Sequence, residues 1–196
     1  MSKTLIVSYL PREGSNTRKL VDAYVDATGD SGEIIHRSLD SQTIPLVDKE
    51  VMASWWTPGA DNVAETASSE FIAELESADQ VIIATPMYNW SLPAPVKAWF
   101  DLVIRSGQTF EFGESGPKGL LDVKKGALFV TTGMTKIEGD TDHLSPMVKL
   151  GLGLMGVEDV TVVGAEELLI CGEDEAAKRM EVAIEASGTL ASNWSA

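Results

Sequence analysis

The run Val81-Ile82-Ile83-Ala84 constrains this chain most. Its β-branched residues favour a strand, and it carries no polar residue for a wet face. A strand without alternation must be covered on both sides, as happens in a parallel sheet with helices above and below. The rest of the chain repeats that theme. Short apolar runs alternate with longer amphipathic ones, the pattern of βαβ units.

The expected strands are Thr4–Ser8, Glu33–Leu39, Gln80–Thr85, Ala127–Thr132 and Asp159–Gly164. Between them the 3.6-residue period predicts helices from about Asn16, with Leu20, Val21, Tyr24 and Val25 on one face, and over Val63–Ser77, with Phe71, Ile72 and Leu75 inward. Further helices are expected over Pro93–Arg105, Leu144–Met155 and Glu173–Leu190. Ser41–Asn62, with Pro45, Trp55, Trp56 and Pro58, reads as irregular, and Thr109–Leu121 as a hairpin or long excursion. Five strands in this arrangement suit an α/β fold with a doubly wound parallel sheet in the order 2-1-3-4-5. The sequence shows no internal repeat or linker, so residues 1–196 are expected to form a single domain.

With 44% hydrophobic and 23% charged residues the composition is that of a globular protein. The formal charge of −15 repels phosphate backbones, making nucleic acid and anionic membranes poor partners. Solubility or a high-salt habitat accounts equally well for the charge. No apolar run is long enough to cross a bilayer, and no signal peptide is evident. The single cysteine, Cys171, forms no internal disulfide, and a reducing cytoplasm is the simplest compartment.

In a sheet of this order ligands bind beyond the carboxyl ends of the strands, where strand order reverses. After the first strand, Ser15-Asn16-Thr17 stands where a helix begins. These side chains and the free N–H groups of the first turn could surround a phosphate, or simply cap the helix. After the third, Pro86-Met87-Tyr88-Asn89-Trp90 offers an apolar and aromatic lining for a flat heterocycle, or aromatics packed against the protein. After the fourth, Thr131-Thr132-Gly133-Met134 permits close backbone approach, or is a turn.

Other motifs lead elsewhere. Gly151-Leu152-Gly153-Leu154-Met155-Gly156 spells the dinucleotide fingerprint, but a helix precedes it and a strand follows, the reverse of what that motif needs. Its glycines read as close packing and helix termination. His36 and His143 stand far apart with no partner at ligand spacing, so no metal is expected. A nucleophile elbow is missing, and Cys171 has no adjacent base.

Pro86-Met87-Tyr88-Asn89-Trp90, with Lys97-Ala98-Trp99-Phe100-Asp101-Leu102-Val103, Arg105-Ser106-Gly107-Gln108-Thr109-Phe110 and Gly116-Pro117-Lys118-Gly119-Leu120, resembles the FMN-dependent NADH azoreductases of the flavodoxin-like quinone reductase superfamily. The match is dense from Ala84 to Leu121 and looser over the rest. The resemblance implies a flavodoxin-like fold, non-covalent FMN and a homodimer whose two sites are built partly from both chains. It maps the phosphate to Ser15, Asn16 and Thr17, the ring to Pro86, Met87, Tyr88, Asn89 and Trp90, and the closing loop to Thr131, Thr132 and Gly133. The first loop is one residue shorter than the family pattern, leaving Ser8 as a candidate for its missing serine. Met134 replaces a usual glycine and bears on acceptor preference.

The implied reaction is two-electron, ping-pong reduction of a quinone or azo compound by NADH or NADPH, carried by the flavin without a catalytic side chain. Trp90, Phe110 and Phe112 are candidates for the acceptor pocket, with core packing as their alternative. Two rival functions stand beside this one: a flavodoxin-type single-electron carrier, which the acidity would suit, and a flavin-free interaction domain on the same fold.

Overall fold

In the computed structural model, which describes residues 1–40, 44–55 and 63–195, the chain runs through β1 (Ser2–Ser8), α1 (Asn16–Thr28), β2 (Gly32–Ser38), α2 (Lys49–Ser54), α3 (Val63–Glu76), β3 (Gln80–Pro86), α4 (Ala94–Val103), β4 (Phe110–Gly113), β5 (Gly116–Gly119), β6 (Lys125–Thr131), α5 (Leu144–Leu154), β7 (Val160–Ala165) and α6 (Glu173–Ser195). Five strands pair in the order β2-β1-β3-β6-β7, all parallel. With the separate β4–β5 hairpin set aside, this is the expected order 2-1-3-4-5.

The two-sided burial of the central strands explains their unbroken apolar sequence. Val81 and Ile83 of β3 join one core layer, and Ile82 and Ala84 join the other. Leu5 and Val7 against Ile6 in β1, and Leu128 and Val130 against Ala127 and Phe129 in β6, split the same way. The first layer is closed by α2 to α5, the second by α1 and α6. Each fully buried Ile or Val contributes about 1.5–3 kcal/mol, against about 1 kcal/mol or less for an exposed ion pair such as Lys97–Asp101.

Three expectations need correction. The stretch read as irregular contains α2, capped by Asp48, whose carboxylate accepts from the N–H groups of Glu50 and Val51 at 2.9 Å. Residues 41–43 and 56–62 of that stretch, including Trp56, Pro58 and Asn62, lie outside the described residues. Val25 is exposed rather than inward, because α1 is covered along Thr17, Leu20, Val21, Tyr24 and Thr28. Finally, α6 continues past Leu190 to Ser195, since Trp194 packs edge-on against Tyr24 and its carbonyl accepts from the Gln80 side chain at 3.0 Å.

The hairpin is rooted by Arg105. Its carbonyl accepts from the N–H groups of Gln108 and Thr109, and the Thr109 hydroxyl caps Val103 O at 2.6 Å. The buried guanidinium lies 4.2 Å from the Trp55 ring and donates to Glu65 and Ser68 at 3.1 and 2.8 Å. Gly151 and Gly156 behave as packing and terminating residues: a Cβ on Gly151 would meet Phe100 at 2.8 Å, and Gly156 takes φ +112° just after α5.

Candidate active site

A cavity of about 400 Å³ opens at the carboxyl edge of β1, β3, β6 and β7. That volume suits a small-molecule site. Pro11, Arg12, Ser15 and Asn16 line it from the first loop, and Pro86, Met87, Tyr88, Asn89 and Trp90 from the loop after β3. Thr131 to Thr135 contribute from the loop after β6, and Leu168 and Leu169 from the loop after β7.

The first loop presents an anion-receptive end. Gly14 turns the chain at φ +67°, and the Ser15 N–H closes on the Arg12 carbonyl at 3.2 Å. Ser15 occupies the position before α1 but its hydroxyl makes no capping bond, so helix capping does not account for it. This mostly buried residue lines the cavity with its hydroxyl uncommitted, beside the N–H groups of the first helical turn that have no intrahelical partner. The positive end of the helix dipole and the Arg12 guanidinium add favourable charge for an anion.

Thr17 stands one shell behind. It is fully buried, outside the cavity lining, and its hydroxyl shares a 2.7 Å hydrogen bond with that of Thr131. Ser8 is turned away as well, with its hydroxyl 2.8 Å from His36 Nε2. Desolvation of that ring, and then the Arg18 charge, lower the His36 pKa below 6.5 against the pull of Asp40 and Asp22.

The loop after β3 is a two-residue turn. Tyr88 and Ser91 exchange backbone hydrogen bonds at 3.2 and 3.0 Å, and Asn89 and Trp90 both take positive φ, 47° and 66°. Such a turn demands the left-handed region at both central positions. Asparagine tolerates it, but tryptophan there is strained by about 1–3 kcal/mol. The His143 N–H holds the turn by donating to the Trp90 carbonyl at 2.9 Å. Tyr88 is braced edge-on by Tyr9, with ring centroids 6.4 Å apart, so an aromatic wall is held at the cavity.

Phe110 and Phe112 do not line this cavity. They lie on one side of the hairpin as a two-residue period requires, with ring centroids 5.4 Å apart in an edge-on contact. Phe110 is buried and Phe112 is 75% exposed. Sequence reasoning missed Pro11, Arg12, Thr135, Leu168 and Leu169 as lining residues. The rule that ligands meet the carboxyl edge extends to the strand β7, and would have pointed to the two leucines.

These features fit a flavin mononucleotide: one anion end, one apolar and aromatic wall, and polar side chains between them at Asn89, Thr131 and Thr132. Among the described residues no group of three metal-ligating side chains occurs, and no helix is long and apolar enough to cross a membrane.

A family profile described as flavodoxin-like fold matches residues 2–190. The FMN-dependent NADH:quinone oxidoreductase 1 of Jannaschia sp. (strain CCS1) is 36% identical over 180 residues, covering 89% of this chain and 92% of the relative. In the solved structure of an azoreductase from Bacillus anthracis str. Sterne the fold superposes with a TM-score of 0.88 at 22% identity, over 97% of this chain and 99% of that one. A second, an FMN-dependent NADH-azoreductase from Bacillus anthracis str. Ames Ancestor in complex with FMN, superposes at 0.84 with 22% identity over 97% and 100%. The chain therefore belongs to the flavodoxin-like fold family, in the branch whose curated relatives are named FMN-dependent NADH:quinone oxidoreductases.

Proposed function

We propose that this protein is an FMN-dependent oxidoreductase that takes electrons from NADH or NADPH and reduces quinones or azo compounds. One observation carries the reading. A single cavity joins the uncommitted Ser15 hydroxyl and helix start to the wall formed by Met87, Tyr88 and Trp90. That is room for one phosphate and one flat ring, and the family relationship supports both. When bound, FMN supplies the two-electron exchange between donor and acceptor.

The chain's own residues bind, orient and exclude water. Ser15, Asn16 and the first N–H groups of α1 hold the phosphate, each charged hydrogen bond contributing about 1.5–3 kcal/mol. Pro86, Met87, Tyr88 and Trp90 cover the ring, while Asn89, Thr131, Thr132 and the Gly133 backbone meet its polar edge. Thr17 works through Thr131 rather than on the ligand. Met134 and Leu169, 66% and 79% exposed at the cavity rim, offer apolar contact to an incoming acceptor.

The same reading makes the protein a homodimer and a single FMN-binding unit over residues 1–196. Exposed Phe112, Leu120 and Leu150 support a second copy, since together they leave apolar surface on the hairpin and α5. In such a dimer Phe112, backed by the buried Phe110, lines the partner's acceptor pocket. The lone cysteine supports a reducing cytoplasm as its compartment.

The test is direct. Purified protein, reconstituted with FMN where needed, should release FMN and no FAD on denaturation, and should oxidise NADH in the presence of benzoquinone. Stoichiometric FAD, or a flavin that leaves NADH untouched, overturns the reading; the second result would return the chain to the carrier class.

A further inference from the structure

The loop after β7 is laced onto the loop after β6. The Thr132 N–H donates to Ala165 O at 3.0 Å, the Glu167 N–H to Thr132 Oγ1 at 3.0 Å, the Leu168 N–H to Thr132 O at 3.0 Å and the Leu169 N–H to Gly133 O at 2.8 Å. Across the same junction the Ile137 N–H donates to the Glu166 carboxylate at 2.7 Å. The strap ends on Leu169, which packs so closely on Gly133 that a Cβ there would lie 2.7 Å from its Cδ1.

Two facts make this strap depend on something outside it. Leu169 is 79% exposed, so side-chain packing does little to hold it; its place at the cavity rim follows from the backbone. Glu167 holds φ +57°, a left-handed conformation that costs a non-glycine residue energy and persists only where neighbours enforce it. Bonds within the turn hold it in part, the Ile170 and Cys171 N–H groups donating to Glu167 O at 3.0 and 3.1 Å, and Arg179 on α6 grips it from outside. Its Nη1 donates to the Glu166 carbonyl at 2.9 Å and to the Glu167 carboxylate at 3.0 Å, while Nε donates to Glu175 at 3.2 Å and aims the guanidinium. Nη1 alone thus grips two consecutive residues of the turn, and the Nε bond to Glu175 fixes the plane it acts from, a second anchor that a lysine lacks.

We propose that Arg179, which does not line the cavity, is a positioning residue for the proposed reaction: it clamps the Glu166–Glu167 turn and so places Leu168 and Leu169 against the acceptor. This rests on the oxidoreductase reading above. It assigns α6 a part in acceptor fit, while FMN retention stays with the first loop.

The experiment uses full-length protein in two arms. Without flavin, Arg179→Gln should speed amide hydrogen exchange at Leu168 and Leu169 by about tenfold and leave Met87 unchanged. With FMN, the same variant should raise the quinone KM by roughly three- to tenfold, with kcat and FMN affinity within about twofold of wild type. Arg179→Lys should fall between the two. In combination with Leu169→Ala the KM effects should not add, because both changes remove the same wall. Should Arg179→Gln fail to fold, Glu167→Gln weakens the clamp with Arg179 in place and should move both readouts the same way by less. Unchanged exchange at Leu168 and Leu169, an unchanged quinone KM, or additive KM effects would each overturn the proposal. A wild-type protein that turns over no NADH defeats the oxidoreductase reading instead, and the exchange arm alone then judges the clamp.

Discussion

Thr17 and Thr131, 114 positions apart, meet through their hydroxyls at 2.7 Å in the buried space behind the cavity. The contact fastens the first turn of α1 to the end of β6, so the anion end and the ring end share one frame. Ser15→Ala should lower FMN affinity by roughly tenfold with an almost unchanged melting temperature, as expected for a lost charged hydrogen bond. Thr17→Val should do the opposite. It leaves a buried hydroxyl without its partner, costing about 1–3 kcal/mol of stability with a smaller change in affinity. Flavin fluorescence titration and thermal melts on both variants separate the roles. Equal effects on both readouts would erase the distinction between contact and frame.

Phe110 and Phe112 touch each other but not the cavity of their own chain. Changing both to alanine should raise the quinone KM several-fold while FMN affinity stays near wild type, as the proposed dimer, with Phe112 backed by Phe110 at the partner's pocket, requires. Unchanged kinetics in a folded dimer would reduce them to packing.

Trp90 sits at φ 66°, where glycine would be at ease. Trp90→Gly should therefore stabilise the fold by about 1 kcal/mol or leave it level, yet weaken acceptor binding by removing the indole from the cavity wall. Urea unfolding beside steady-state kinetics tests the trade. Lost stability with intact kinetics would mean the indole is structural.

Asp142 is buried before α5 and accepts from the N–H groups of Glu138, Leu144 and Ser145 and from the Ser145 hydroxyl, at 2.6–2.9 Å. Burial pushes its pKa up, but these four bonds outweigh it and hold the carboxyl below its ordinary 3.8. A depressed carboxyl pKa stabilises the fold at all pH above the unfolded value and loses that contribution as pH falls through the folded value. Asp142→Asn should thus be less stable than wild type by about 1–2 kcal/mol at neutral pH, and the gap should close below pH 3.8. A gap that persists in acid would point to shape rather than charge.

The sheet and most of the cavity were legible in the sequence because both follow local rules. Val81 to Ala84 announce two-sided burial, and residues just past a strand's carboxyl end fall at the ligand edge whatever the helices do. What escaped depends on distant partners. Leu168 and Leu169 follow β7 as the edge rule requires, but their place at the cavity comes from backbone bonds to Thr132 and Gly133, which no periodicity encodes. Residues beyond Leu190 stay helical because Gln80 and Tyr24 receive Trp194 from far up the chain. Ser15 reads in the sequence as a phosphate contact or a cap, and only the absent capping bond favours the first.

The docking of α6 on α1 has a consequence for biosynthesis. Ser187 donates its hydroxyl to the Leu20 carbonyl across 167 positions, and Leu190, Ala191 and Trp194 complete the layer that covers Leu20, Val21 and Tyr24. A nascent chain whose residues beyond 173 are still inside the ribosome leaves that face of α1 wet. Every lining residue of the cavity has by then been synthesised, yet the helix that presents Ser15 lacks its backing. Cofactor capture should therefore wait until α6 has left the ribosome, and a chain arrested before that point should stick to chaperones before it turns yellow.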